Sequence, residues 1–150
     1  MPKDINLGNE KSALEVLTKI QEKKTTAVDI RIINSHIVSL NTIIGRRVFK
    51  KDALYVSSET LWEIMQPVGG TGKHNHHGLT PQNLFDALSS IKSPKEIYVS
   101  YDNRYLIVTL ATIIDGANLV VIVQPNCPLN NNLLANAIKV ITIYPKKIKK

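Results

Sequence analysis

Residues 97–123 read IYVSYDNRYLIVTLATIIDGANLVVIV, and this stretch decides the fold. Ile97, Tyr98 and Val99, then Tyr105, Leu106, Ile107 and Val108, flank Asp102-Asn103. After Ile113-Ile114 and Asp115-Gly116 comes an unbroken aliphatic run, Leu119-Val120-Val121-Ile122-Val123. Runs of β-branched and aromatic residues bounded by Asp, Asn and Gly read as strands joined by hairpin turns. Toward the C-terminus, Pro125-Asn126-Cys127-Pro128 and Asn130-Asn131-Asn132 read as a loop. Residues 138–144, IKVITIY, alternate and form a last strand before Pro145.

Upstream, the period changes. Thr80 as N-cap and Pro81 at the first helical position open a helix with Leu84, Leu88 and Ile91 on one face, ended by Ser93-Pro94. Residues 67–78, PVGGTGKHNHHG, are a loop. Ser57 or Ser58 opens a helix through Leu61, Trp62, Ile64 and Met65, which Pro67 stops, with Trp62 expected in the core. Val48-Phe49 and residues 53–56 are strand-like. Ser12 and Glu15 stand at capping-box spacing before Leu17 and Ile20, in a helix that ends near Glu22. Thr26 and Asp29 repeat that spacing, and Ile30, Ile33, Ile37, Leu40 and Ile44 step by three or four to Gly45, placed as a C-cap. His36 lies at the edge of that stripe as a packing histidine. Residues 12–45 thus predict a helical hairpin. Helices first and antiparallel strands last predict an α+β fold, its helices packed on an antiparallel sheet of four or five strands. The chain reads as a single domain: a helical hairpin over 1–45, an α+β core over 46–145 and a basic tail over 146–150.

Composition narrows the function. The chain has 150 residues, 43% hydrophobic and 21% charged, enough for one real core and too apolar for disorder. Its longest apolar stretch, residues 106–114, holds two threonines and falls far short of a membrane span. No apolar segment follows Met1, so neither signal peptide nor membrane partner is expected, and the cytoplasm is the expected setting. Cys127 is alone, which excludes an internal disulfide and a Cys-based zinc site. The net charge of +7 has two foci, the lysines of residues 146–150 and the cluster Arg46, Arg47, Lys50 and Lys51. Basic clusters favour a polyanionic partner such as RNA, DNA or anionic lipid through counterion release, with Arg46, Arg47, Lys50, Lys51 and Lys73 as candidate nucleic-acid contacts; a solvated tail with solubilising charge explains them equally well.

The loop Gly69-Gly70-Thr71-Gly72-Lys73 is no phosphate-binding P-loop. Pro67 replaces its first glycine, His74 follows Lys73 where Ser or Thr is needed, and a helix precedes it instead of a strand. His74, His76 and His77 lie beside it, and imidazole is the side chain suited to moving protons near neutral pH. A zinc site is the competing reading, but neighbouring histidines rarely share one metal and no Cys or nearby carboxylate completes the ligation. A solvated polar loop is the plainer alternative. Cys127 lacks an activating neighbour, no GxSxG is present, and carboxylates are sparse. The remaining His, Arg, Lys, Ser, Thr and Tyr suit cofactor-free and metal-free RNA cleavage, in which the substrate's 2′-hydroxyl attacks the phosphate.

From about residue 48 onward the layout resembles the phage-associated branch of the Barnase–EndoU–colicin–RelE (BECR) RNase-like toxin group. The matching pieces are the strand and helix over residues 53–64, the Lys73-His74 step, the segment from Leu79-Thr80-Pro81 to Tyr98, and the strand Ile141-Thr142-Ile143-Tyr144-Pro145. The resemblance implies an endoribonuclease of phage or toxin type, with an antitoxin, immunity or phage protein as further partner. It implies His74 or His77 as the acid–base residue and Lys73 or Arg104 as the phosphate clamp. Thr142 and Tyr144, two apart on one strand face, would reach the same cleft. Ordinary strand propensity explains Thr142 and Tyr144 equally well, and Arg104 also reads as a solvated hairpin residue beside Asp102. The alternatives are a non-catalytic nucleic-acid-binding or mobile-element accessory protein on the same fold, and an interaction module that docks through its N-terminal hairpin.

Overall fold

The computed structural model describes residues 4–51, 53–69, 76–100, 102–113, 115–129 and 132–147. In chain order they form β1 (Ile5–Asn6), α1 (Glu10–Glu22), β2 (Asp29–Ile33), a 3-10 turn (Ile37–Ser39), α2 (Leu40–Ile44), β3 (Leu54–Ser57) and α3 (Ser58–Ile64). There follow α4 (Pro81–Ser89), β4 (Glu96–Val99), β5 (Tyr105–Thr112), β6 (Asn118–Leu129) and β7 (Asn132–Lys146). The strands make one sheet in the order β1-β2-β3-β7-β6-β5-β4. Pairing is antiparallel except for β1 with β2 and β3 with β7. The fold is α+β. Its sheet is mixed and seven-stranded, not an antiparallel one of four or five strands.

Register explains the core. Ile30, Val56, Val140, Val123 and Tyr105 stand side by side across five strands, none more than 2% exposed. Ala13 and Leu17 of α1, Leu61 and Ile64 of α3, and Leu84 and Leu88 of α4 join the same cluster. Fully burying each aliphatic side chain contributes about 1.5–3 kcal/mol before entropy is counted. Residues 5–44 supply two strands and two helices to this core, so they are part of the sheet and its packing and not an appended hairpin.

The first half of the predicted hairpin exists as α1, although Asn9 caps it in place of Ser12, its Oδ1 accepting the Ser12 N–H at 3.1 Å. The second half does not. Asp29–Ile33 is a strand with Ile30 and Ile32 buried and Arg31 exposed. Isoleucines at helical spacing here also alternate, and pairing with Leu54 and Val56 of β3 buries two of them against a ready partner, so tertiary context overrides the helical period. Left-handed residues at Asn34 (φ 67°) and His36 (φ 52°) then turn the chain, and helix resumes only at Ile37. His36 is exposed, not packed, and Trp62 is only partly buried. Gly45, at φ 83°, does terminate α2.

The expected loop over residues 125–132 is instead mostly strand. Register shifts between Gln124 and Leu129 let the β6–β7 ladder pass Pro125 and Pro128, as bulges accommodate residues without an N–H. Pro145 does not end β7 either. Lys146 still pairs with Asn118, so the core reaches one residue into the expected tail. The helices α3 and α4 fall where their caps place them. Ser57 accepts from Glu59 N–H, and Thr80 and Asn83 form a reciprocal capping box that spans Pro81. No helix among the described residues is long and apolar enough to cross a membrane.

Val48 and Phe49 form no strand. Asn41 of α2 holds them instead: its Oδ1 accepts from Val48 N–H and Phe49 N–H, both at 2.9 Å, and its Nδ2 donates to the Phe49 carbonyl at 2.8 Å. One side-chain amide thus satisfies three backbone groups of the turn that carries Arg46, Arg47 and Lys50. Asn41→Leu removes the partner of the Phe49 N–H and carbonyl, while Val48 N–H keeps its 3.0 Å bond to the Arg46 carbonyl. The expected cost is about 1–3 kcal/mol, seen as a lower urea midpoint at unchanged slope.

Candidate functional site

The placement of His77 begins at the end of α3. The carbonyls of a helix's last turn lack partners, and here the returning chain supplies them. His77 N–H and Leu79 N–H donate to the Ile64 carbonyl at 3.3 and 3.2 Å, and Gly78 N–H donates to Gln66 at 2.7 Å. Gly78 adopts φ 64°, which glycine tolerates, and Leu79 anchors the turn at 2% exposure. His77 is therefore tied to the C-terminal end of α3.

That end of α3 lies beside β7. β3 pairs with β7 only from Leu54↔Ile138 to Val56↔Val140, and the chain then turns into α3, which packs along the next part of β7. Ile143 points into the core, so Thr142 and Tyr144 project from the other face, opposite Ile122 and Val120 of β6. The His77 and Tyr144 rings meet with centroids 6.1 Å apart at 41°. Burial pushes the Tyr144 phenol above its usual range. Thr142 Oγ is withdrawn from solvent and has no hydrogen-bond partner among the described residues. His76 turns elsewhere, edge-on to Trp62 at 6.0 Å, with Lys24 Nζ 5.2 Å from the Trp62 ring centroid. Lys73 and His74 lie outside the described residues. Among those described, no three His, Cys, Asp or Glu side chains converge as metal ligands.

Arg104 is not part of this group. Tyr105 pairs with Val123, while Val108 pairs with Val120 and through it faces Tyr144. Arg104 is therefore two strands away and about 13 Å along the strand direction. Its guanidinium stands 3.5 Å from Asp102, whose carboxyl is held below the usual range by a hydrogen bond from Ser100 and, to a lesser degree, by Arg104.

The four remaining cations do come together. Arg46, Arg47, Lys50 and Lys51, with Val48, line a cavity of about 650 Å³ whose other walls are Asn103, Tyr105, Pro125, Asn126 and Ile138. None of these lining residues is acidic. Arg46 Nη2 donates to Tyr105 Oη at 3.0 Å, and Tyr105 packs edge-on against Phe49 at 5.5 Å. The sequence pointed to the cations but not to the Tyr105, Asn103 and Asn126 wall, because those residues are remote in the chain and carry no local signal.

Among the described residues two features therefore stand out: an imidazole–phenol pair near the C-terminal end of β7 and a basic pocket that meets β7 at its middle, at Ile138. No protein-family model, curated protein or solved structure matches the chain.

Proposed function

We propose that this chain is a metal-independent endoribonuclease-like domain that cleaves RNA through the substrate's own 2′-hydroxyl. The observation that carries the reading is the meeting of His77 with Tyr144, residues far apart in sequence, on the strand face that also bears Thr142. The reaction needs a base for the 2′-hydroxyl proton and an acid for the departing 5′-oxygen. His77 takes the first role. Tyr144, a phenol protonated at neutral pH and pushed higher by burial, takes the second. The 2′-oxygen bonds to phosphorus, the P–O5′ bond breaks, and the products are a 2′,3′-cyclic phosphate and a 5′-hydroxyl. Thr142, its hydroxyl shielded from solvent, stands on the same strand face two residues from Tyr144 and belongs to the same reading. Lys73 and His74 belong to the same reading as phosphate clamp and alternative acid–base group, as do a cytoplasmic setting and an antitoxin, immunity or phage protein as partner.

The test is incubation with RNA in EDTA, followed by analysis of the new ends. Cyclic phosphate and 5′-hydroxyl ends are expected, with DNA of the same sequence left intact because it lacks the attacking hydroxyl. RNA held without new ends selects the second reading, a non-catalytic RNA-binding protein, which the separate basic pocket favours.

The raised Tyr144 pKa predicts two pH effects. The alkaline limb of kcat/KM falls above pH 10.0, and Tyr144→Phe loses that limb along with most of its activity. Stability follows the same shift. A phenol titrating higher in the folded than in the unfolded chain contributes fully below 10.0, and its contribution is lost as pH rises through the folded-state value. Urea midpoints measured at about pH 9 and about pH 11 should therefore converge more closely for Tyr144→Phe than for the native chain.

A further inference from the structure

We propose that the basic pocket is a phosphate-binding subsite for the RNA backbone several nucleotides from the cleaved bond, so that the substrate is an extended RNA and not a dinucleotide. The proposal rests on the ribonuclease reading above and names the substrate class for it. Three observations support it. The first is separation. Ile138, in the pocket wall, belongs to the core-facing side of the sheet, whereas Tyr144, at the acid–base pair, projects from the other face about 20 Å away along β7 at the rise of a β-strand. A phosphate in the pocket therefore belongs to a nucleotide several positions from the scissile one.

The second is construction. The cations sit on a turn fixed by the three Asn41 hydrogen bonds, by Phe49, which is fully buried, and by the left-handed Gly45 that ends α2. Arg46 is further held by Tyr105 Oη. A merely solubilising charge cluster needs no such support. Here the cost of ordering the turn is met in the fold, before any anion arrives.

The third is chemistry. The cavity of about 650 Å³ falls within the range of small-ligand sites and is large enough for a nucleotide. Tyr105 is fully buried and its hydroxyl is engaged by Arg46, so its ring offers no face on which a base can stack. Recognition in the pocket therefore falls to cations and to the Asn103 and Asn126 amides, which suit phosphate and ribose. Binding there is sequence-tolerant.

The test compares native protein with Arg47→Ala/Lys50→Ala, two exposed positions remote from His77 and Tyr144. The binding probe is a 2′-O-methyl oligouridylate of about 12 nucleotides, within single-strand site sizes and unable to react. Each phosphate contact contributes about 0.7 to the slope of log K against log salt for a single strand, so the double variant should lose about 1.4. In cleavage, the variant lowers kcat/KM for the unmodified strand several-fold more than it does for the slowly cleaved dinucleotide UpU. An unchanged salt slope overturns the proposal. Equal loss of strand and dinucleotide cleavage also overturns it, because the pocket would then serve the cleaved phosphate itself. If native protein cleaves neither substrate but the slope still falls in the variant, the ribonuclease reading fails and the phosphate pocket stands.

Discussion

His77→Ala lowers the rate of RNA cleavage by about 10²–10⁴-fold, the contribution of one positioned acid–base group, and leaves RNA binding in the basic pocket unchanged. The fold should survive, because the bonds that place residue 77 come from its backbone N–H and from Leu79 N–H to Ile64, both of which alanine retains. His76→Ala is the internal comparison. His76 packs against Trp62, away from Tyr144, and its loss should change the rate by no more than a few-fold. Single-turnover cleavage by the two variants, with folding checked by circular dichroism, separates the outcomes. A His76 variant as impaired as the His77 variant would falsify the assignment of the acid–base pair.

Phe49→Ala has the largest expected effect on stability, about 3–5 kcal/mol, the usual cost of emptying a buried aromatic site. Phe49 is fully buried although it lies in no strand or helix. It touches Tyr105 edge-on, and the backbone groups that flank its side chain are those held by Asn41. Its removal therefore opens the core and releases the turn that carries Arg46, Arg47, Lys50 and Lys51. The urea midpoint should fall, and RNA affinity at low salt should fall with it even below the unfolding transition. Phe49→Leu, which keeps much of the volume, is expected to recover most of the stability and nearly all of the binding. A Phe49→Ala protein with native RNA affinity would show that the cations do not depend on the turn.

Much was legible without tertiary structure. The hairpin strands of residues 97–123 follow from β-branched and aromatic runs bounded by turn residues, and the start of α4 follows from Thr80 and Pro81. Each depends on neighbours within a few positions, which is the range over which propensity and capping act. The basic cluster was legible as charge, and the loop histidines as chemistry. Residues 29–33 were not, because their isoleucines satisfy both a helical and a strand period, and only the exposed edge of β3 chooses between them. The parallel pairing of β3 with β7 was hidden for the same reason: it joins segments far apart in sequence, and no local pattern encodes it.

That pairing also decides the site. Thr142 and Tyr144 share a strand face by simple alternation, a property of the sequence alone. What faces them depends on β3 ending beside the middle of β7, so that α3 and the turn at Gly78 bring His77, and not His76, against Tyr144. Arg104, equally plausible as a cation in the sequence, is placed toward the opposite end of the sheet by the register of β5 on β6. Residue type and local period thus determined which side chains are suited to chemistry and which face of an element they occupy. Only the long-range register of the sheet decided which of them meet, because hydrogen-bonded pairing sets distances of many ångströms between residues that exert no force on one another along the chain.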